Sequence, residues 1–171
     1  MEGINEHIFL IGFMGVGKSS TSRLLSHMLN VKEVDTDAMV VEKEGCQISE
    51  IFANKGEEYF RNLETGILDD IKEIEPCIVS CGGGLALRQE NVKKMRGMGR
   101  IILLSASPET IYIHVKDSLS RPLLNGNMNI PYIKKLMDAR IPKYLDAADT
   151  IIETDGLSLK EVAAKIADLY T

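Results

Sequence analysis

The stretch Gly12-Phe13-Met14-Gly15-Val16-Gly17-Lys18-Ser19 has the composition and spacing G-x-x-x-x-G-K-[ST] of a loop that cradles phosphate. Glycines let the backbone wrap an anion where a side chain would collide. Lys18 brings a cation to the outer phosphates, and the Ser19 hydroxyl is a candidate Mg²⁺ ligand. Further along, Asp35-Thr36-Asp37 offers two carboxylates and Gly82-Gly83-Gly84 offers bare backbone N–H groups. If Asp35 and Asp37 alternate at a strand end, they leave the chain on opposite sides. One then faces the Mg²⁺ at Ser19 through water, and the other accepts a proton from the hydroxyl of a second substrate. On its own such a pair is more often a turn in which an Asp caps the next helix. Following a phosphate loop, the catalytic reading is favoured.

The flanking pattern suits this chemistry. Ile8-Phe9-Leu10-Ile11 is a short apolar run, and Ser19 to Leu29 carries Leu24, Leu25, Met28 and Leu29 at helical spacing. Strand, glycine-rich turn and helix N-terminus together aim backbone N–H groups and a helix dipole at an anion. A weak strand signal covers Lys32 to Asp37, and helices are expected over Ala38–Glu44, from Ile48, and along the stripe Tyr59, Phe60, Leu63, Ile67, Leu68, Ile71. Pro76 to Cys81 reads as a buried strand, Asn91 to Arg96 as a helix, and Arg100 to Leu104 as the strongest strand. Pro108 opens another helix. Lys116 to Asn129 reads as a mobile, lid-like loop that contains Arg121, placed where a cation can swing over phosphates. Tyr132 to Asp146 is expected to be helical with a break at Pro142. A last strand at Thr150-Ile151-Ile152 and a helix over Leu159–Leu169 complete the chain. This alternation predicts an α/β fold with a mainly parallel five-stranded sheet, in which ligands sit beyond the C-terminal strand ends. The phosphate loop, Asp35-Thr36-Asp37 and Gly82-Gly83-Gly84 should meet there. By spacing alone, Arg61 with Glu64 three residues on reads as a solvated surface pair, and Arg140 carries no signal of its own.

With 171 residues, 44% hydrophobic and 26% charged, the chain is expected to be one soluble domain over 1–171. Its net charge of −5 lacks any basic block, which argues against nucleic acid or an anionic membrane as partner. A small anionic ligand must then be held by a few placed cations. The three cysteines, Cys46, Cys77 and Cys81, have no metal-type spacing and are expected as reduced thiols, Cys77 and Cys81 in the core. No leader peptide or membrane span is expected, and the expected address is the cytoplasm.

Taken together the motifs resemble the shikimate kinase family of P-loop small-molecule kinases. The match is carried by Gly12–Ser19, Asp35-Thr36-Asp37, Phe60-Arg61-x-x-Glu64, Gly82-Gly83-Gly84, Arg121-Pro122-Leu123-Leu124 and Arg140-x-x-x-Tyr144, in the family's order, from about Ile8 to the C-terminus. The resemblance implies a three-layer P-loop fold with a lid near 116–129, and ATP-dependent phosphorylation of the 3-hydroxyl of shikimate by a monomer. It implies that Gly15, Val16, Gly17, Lys18, Ser19 and Ser20 hold ATP phosphates, that Ser19 ligates Mg²⁺ and that Asp35 does so through water. Asp37 would hold the ring hydroxyls as candidate base. Arg61 and Arg140 would grip the carboxylate, a job suited to the guanidinium fork, and Gly83 would donate its N–H. Phe52 and Phe60 would wall the pocket, and Arg121 would descend onto ATP. His114 stands where relatives often place an arginine against adenine, and no motif specifies the base contacts expected near Thr154 to Gly156.

Gluconate and nucleoside monophosphate kinases are the rival enzymes. They need a different acceptor pocket from the one Arg61, Gly83 and Arg140 suggest. A GTP-dependent switch is the rival of another class. It would want N-K-x-D after a late strand, and Asn54-Lys55-Gly56-Glu57 is a poor substitute lying between early helices.

Overall fold

The computed structural model describes residues 3–116 and 129–171; residues 117–128, with Arg121 and most of the expected lid, lie outside the described residues. Strands β1 (His7–Ile11), β2 (Glu33–Asp35), β3 (Ile78–Ser80), β4 (Gly99–Ser105) and β5 (Thr150–Glu153) form one parallel sheet in the order β2-β3-β1-β4-β5. All five residues of β1 are buried, and β3 is buried throughout. That is why these strands read as unbroken apolar runs and not as alternation: each is covered on both faces. The strand order reverses at β1, so a crevice opens beyond its C-terminal end, where the phosphate loop begins.

The helices packed around the sheet are α1 (Lys18–Leu29), α2 (Thr36–Glu44), α3 (Ile48–Lys55), α4 (Glu57–Lys72), α5 (Gln89–Arg96), α6 (Pro108–Val115), α7 (Ile130–Ala147) and α8 (Leu159–Ala167), with a 3-10 turn at Leu85–Leu87. Two elements depart from the sequence reading. Asp37 lies not on a strand end but in the first turn of α2, because Asp35 ends β2 and caps the helix, accepting the Ala38 N–H at 3.0 Å. Helix α7 runs unbroken through Pro142. Proline's fixed φ is itself helical, so it costs one backbone bond and some steric strain. The buried face formed by Ile133, Met137, Tyr144 and Ala147 holds the helix together across it. Helix α4 buries Phe60, Glu64, Ile67, Leu68 and Ile71, so a glutamate occupies a place in the apolar stripe. Among the described residues no helix is long and apolar enough to cross a membrane.

At the opposite end of the sheet from the crevice, His7 is buried and its Nδ1 accepts the Cys77 N–H at 3.1 Å, tying β1 to the approach of β3. A nitrogen that accepts this bond cannot also carry a proton, and burial lowers the imidazole pKa below 6.5. The folded state therefore binds fewer protons than the unfolded one. His7 stabilises the fold fully above pH 6.5, and that contribution declines as pH falls. Urea midpoints measured across this range for the wild type and His7→Gln, which keeps an acceptor without a titrating ring, should differ in slope. The wild type should lose stability more steeply on acidification; parallel curves would contradict this role.

Candidate active site

The phosphate loop leaves β1 and enters α1, whose first amides have no intrahelical partner. Lys18 is buried in this structure, its Nζ donating to the carbonyls of Gly12 at 2.7 Å and Phe13 at 3.0 Å. The loop is thus closed by its own lysine. From the other side, His114 Nδ1 lies 2.6 Å from the Gly15 carbonyl, which can only accept, so Nδ1 is the protonated nitrogen. Gly15 has φ +80°, and a β-carbon on it would run into Val115. The last turn of α6 therefore buttresses the loop through both His114 and Val115.

Strand register brings the next groups together. Asp35 pairs with Ser80, and Ser80 with Leu10, in the ladder β2-β3-β1. The exposed Ser19 hydroxyl, in the first turn of α1 where the loop ends, donates to Asp35 Oδ2 at 3.1 Å and lies 3.3 Å from the Ser80 hydroxyl. Asp35 thus serves as helix cap with one oxygen and as partner of Ser19 with the other. Thr36 is fully buried and accepts the Gly82 N–H at 2.8 Å, which fastens the acidic turn to the triple-glycine loop. A β-carbon on Gly82 would lie 2.6 Å from Asp37 Oδ1 and 3.1 Å from Glu64 Oε2, so both carboxylates crowd this loop.

Arg61 and Glu64 are not a solvated surface pair. Glu64 is 1% exposed and accepts from Arg61 Nη1 at 2.7 Å, while Arg61 Nη2 reaches Glu57 at 3.2 Å. The inward turn of α4 that places Phe60 and Ile67 in the core carries Glu64 with them, which i,i+3 spacing cannot reveal. Its second oxygen, Oε2, is buried and has no hydrogen-bond partner among the described residues. Burial pushes the Glu64 carboxyl up to about 7, against the pull of Arg61 and aided by the Asp37 charge. The Arg61 guanidinium lies so close to Gly84 that a β-carbon there would overlap it. Across the loop, Arg140 Nη1 would sit 3.4 Å from a β-carbon on Gly83, and its guanidinium lies 5.6 Å from the Phe13 ring. Two guanidinium groups thus flank the triple glycine. Phe52 and Phe60 pack on each other with ring centroids 5.0 Å apart, and the Arg61 guanidinium lies 5.2 Å from the Phe60 ring.

The cleft holding the loop has a volume of about 600 Å³. Gly15, Val16, Gly17, Ser20, Asp37 and Gly83 are among its walls, and its far end is lined by Thr110, His114 and the stretch Thr154 to Gly156. The structure brings together Lys18, Ser19, Asp35 and Asp37 with the glycine loop, and sets Arg61 and Arg140 against that loop. Arg121 lies outside the described residues. Ser80 and Thr36 were not singled out by the sequence reading. Ser80 lies inside the run Pro76 to Cys81 that reads as a buried strand, where nothing marks its hydroxyl. Among the described residues no group of three or more His, Cys, Asp or Glu could hold a metal. Hard oxygen donors in twos suit a cation that keeps its water and takes its other ligands from phosphate. This constellation can bind a polyphosphate, hold a small carboxylate between two arginines, and place a carboxylate at a hydroxyl between them.

A family model described as shikimate kinase matches residues 14–171. A shikimate kinase of Dehalococcoides mccartyi is 41% identical, over 95% of this chain and 92% of that protein. The structure of a shikimate kinase from Acinetobacter baumannii in complex with shikimate aligns with a TM-score of 0.90 at 28% identity, covering 96% of this chain and 92% of the other. A gluconokinase from Sinorhizobium meliloti, at 15% identity and a TM-score of 0.56, shares the fold alone. The chain belongs to the shikimate kinase family and is an ATP-dependent kinase that acts on shikimate.

Proposed function

We propose that residues 1–171 act as one kinase domain that moves the γ-phosphoryl group of ATP to the 3-hydroxyl of shikimate, with each motif in the role its geometry suggests. The observation that carries this reading is the pair of guanidiniums, Arg61 and Arg140, on either side of Gly83-Gly84, with Asp37 against Gly82. A planar carboxylate suits such a clamp, and a ring hydroxyl then falls between the clamp and the phosphate loop. The Gly83 N–H and Asp37 would orient that hydroxyl. In phosphoryl transfer, positioning and charge stabilisation do most of the catalysis, so Asp37 need only accept the hydroxyl proton as the bond forms.

On the nucleotide side, the amides of Gly15 to Ser20 would receive the phosphate oxygens. Lys18 would leave the Gly12 and Phe13 carbonyls to follow the transferred charge. Ser19, and Asp35 through water, would hold Mg²⁺, which supplies neutralisation of phosphate charge when bound. Their separation of 3.1 Å and their exposure to the cleft support that role.

The deciding experiment is ADP release from MgATP with shikimate, gluconate, AMP or no acceptor. Release should depend on shikimate alone; release with another acceptor would remove the roles given to Arg61 and Arg140. Arg140→Ala should weaken shikimate binding by roughly 10- to 100-fold, the loss of a charged hydrogen-bonding group, and leave ATP within about twofold. An ATP-selective defect would refute the carboxylate assignment. A bound anion beside Glu64 raises that acid's pKa further above about 7, so shikimate should arrive with proton uptake and bind more tightly as pH falls toward 7. Titration calorimetry in buffers of different ionisation heat reads this directly. Glu64→Gln should abolish the uptake, and a buffer-independent heat in the wild type would contradict it.

A further inference from the structure

The triple-glycine loop has three carbonyls and three amides, and four of these groups have identified partners. Leu85 N–H donates to Gly82 O at 3.1 Å, and Leu87 N–H to Gly84 O at 3.2 Å. Gly82 N–H goes to Thr36 Oγ1 at 2.8 Å. The Gly83 carbonyl accepts from the Tyr144 hydroxyl at 2.5 Å. Among the described residues no hydrogen bond takes the N–H of Gly83 or Gly84. All three carbonyls are tied off, and two adjacent donors remain in a loop whose Gly83 lines the cleft.

Three of those four bonds are made within the loop's own turn or with the first residue of α2. The fourth comes from α7, which packs against the turn that follows the loop. Tyr144 is 3% exposed, so its hydroxyl is a fixed donor and not one shared with solvent. Burial raises its pKa above the ordinary 10, against the pull of Arg140, which keeps it protonated and donating. Arg140 stands one turn earlier on the same helix, interacts with the Tyr144 oxygen and lies against Gly83. One helix face therefore presents a guanidinium and, beside it, the hydroxyl that holds the neighbouring glycine peptide.

We propose that Tyr144 is a positioning residue of the acceptor site: by holding the Gly83 carbonyl against α7, it fixes the glycine peptides in the orientation that leaves the Gly83 and Gly84 amides available beside Arg140. Glycine peptides have the widest backbone freedom of any, so an unheld loop here would reach orientations that turn the Gly83 carbonyl into the cleft. That would put an acceptor where a substrate hydroxyl needs a donor. The effect on substrate rests on the assignment of Gly83 and Arg140 to shikimate made above; the carbonyl contact does not.

Tyr144→Phe removes the hydroxyl and keeps the buried ring. In the unliganded protein, the ¹H–¹⁵N signals of Gly83 and Gly84 should move while those of distant strands stay in place and the thermal midpoint changes by only a few degrees. In kinetics, KM for shikimate should rise about tenfold with KM for ATP within about twofold, the size expected for one lost hydrogen bond. Unmoved glycine amides would overturn the proposal whatever the acceptor proves to be. Moved amides with an unchanged KM for shikimate would also overturn it, since the contact would then be structural only. If the wild type fails to respond to shikimate, the assignment of function falls, and the amide signals still decide whether Tyr144 holds the loop.

Discussion

The site depends on the hydrogen-bond register of the three strands β2-β3-β1. Leu10, Ser80 and Asp35 stand level in that ladder, so three chain segments far apart in sequence end at the same height. Beyond those strand ends the chain continues into the phosphate loop, the triple glycine and the acidic helix turn, and these three must then meet. Side chains on a strand alternate between faces, so a slip of one residue would send Ser80 to the wrong side and separate Ser19 from Asp35. The buried strands β1 and β3 pack in this register, and beyond their ends it is matched by the bonds from the Gly82 N–H to Thr36 and from Ser19 to Asp35. The chemistry thus depends on how the strands pair as well as on the residues that carry it.

Charge in this acidic chain is held in place and not spread. Lys18 rests on loop carbonyls, Arg61 between Glu57 and Glu64, and Arg140 over Phe13 and beside Gly83. Each cation already has a fixed geometry, so a ligand meets oriented charges with little reorganisation to complete. The buried Glu64 is the counterpart of this arrangement. It keeps Arg61 beside Gly84, and the cost appears as a carboxyl pushed up to about 7, with one oxygen unpartnered among the described residues.

Much of this was legible in the sequence. The phosphate loop, the five strands and the order of helices emerge from apolar runs and glycine punctuation, and the family motifs name Asp37, Arg61, Gly83 and Arg140. The illegible part lies where a local pattern has two physical solutions. Asp35 reads as cap or ligand partner, and it caps the helix while bonding Ser19. Arg61-x-x-Glu64 has the spacing of a surface pair, and only the rotation of α4 in the core decides that Glu64 is inside. Pro142 looks like a helix end, and burial of the residues around it overrides that preference. Ser80 and Tyr144 contribute through distances between remote segments, which no spacing rule contains.

The order of strands also sets when during synthesis the site can exist. Strand β1 and its phosphate loop precede the other strands in sequence, yet β1 is flanked by β3 and β4, and Gly12 packs against the carbonyl of Leu104. Domains gather their long-range pairs late, because the closure of long loops must precede the contacts that reward it. The phosphate loop, made before its neighbours, therefore stays without a frame until residues beyond 105 have been added, and the clamp waits longer still, for α7. A product cut before β4 would have the nucleotide signature in its sequence and lack the strand that flanks β1 on one side.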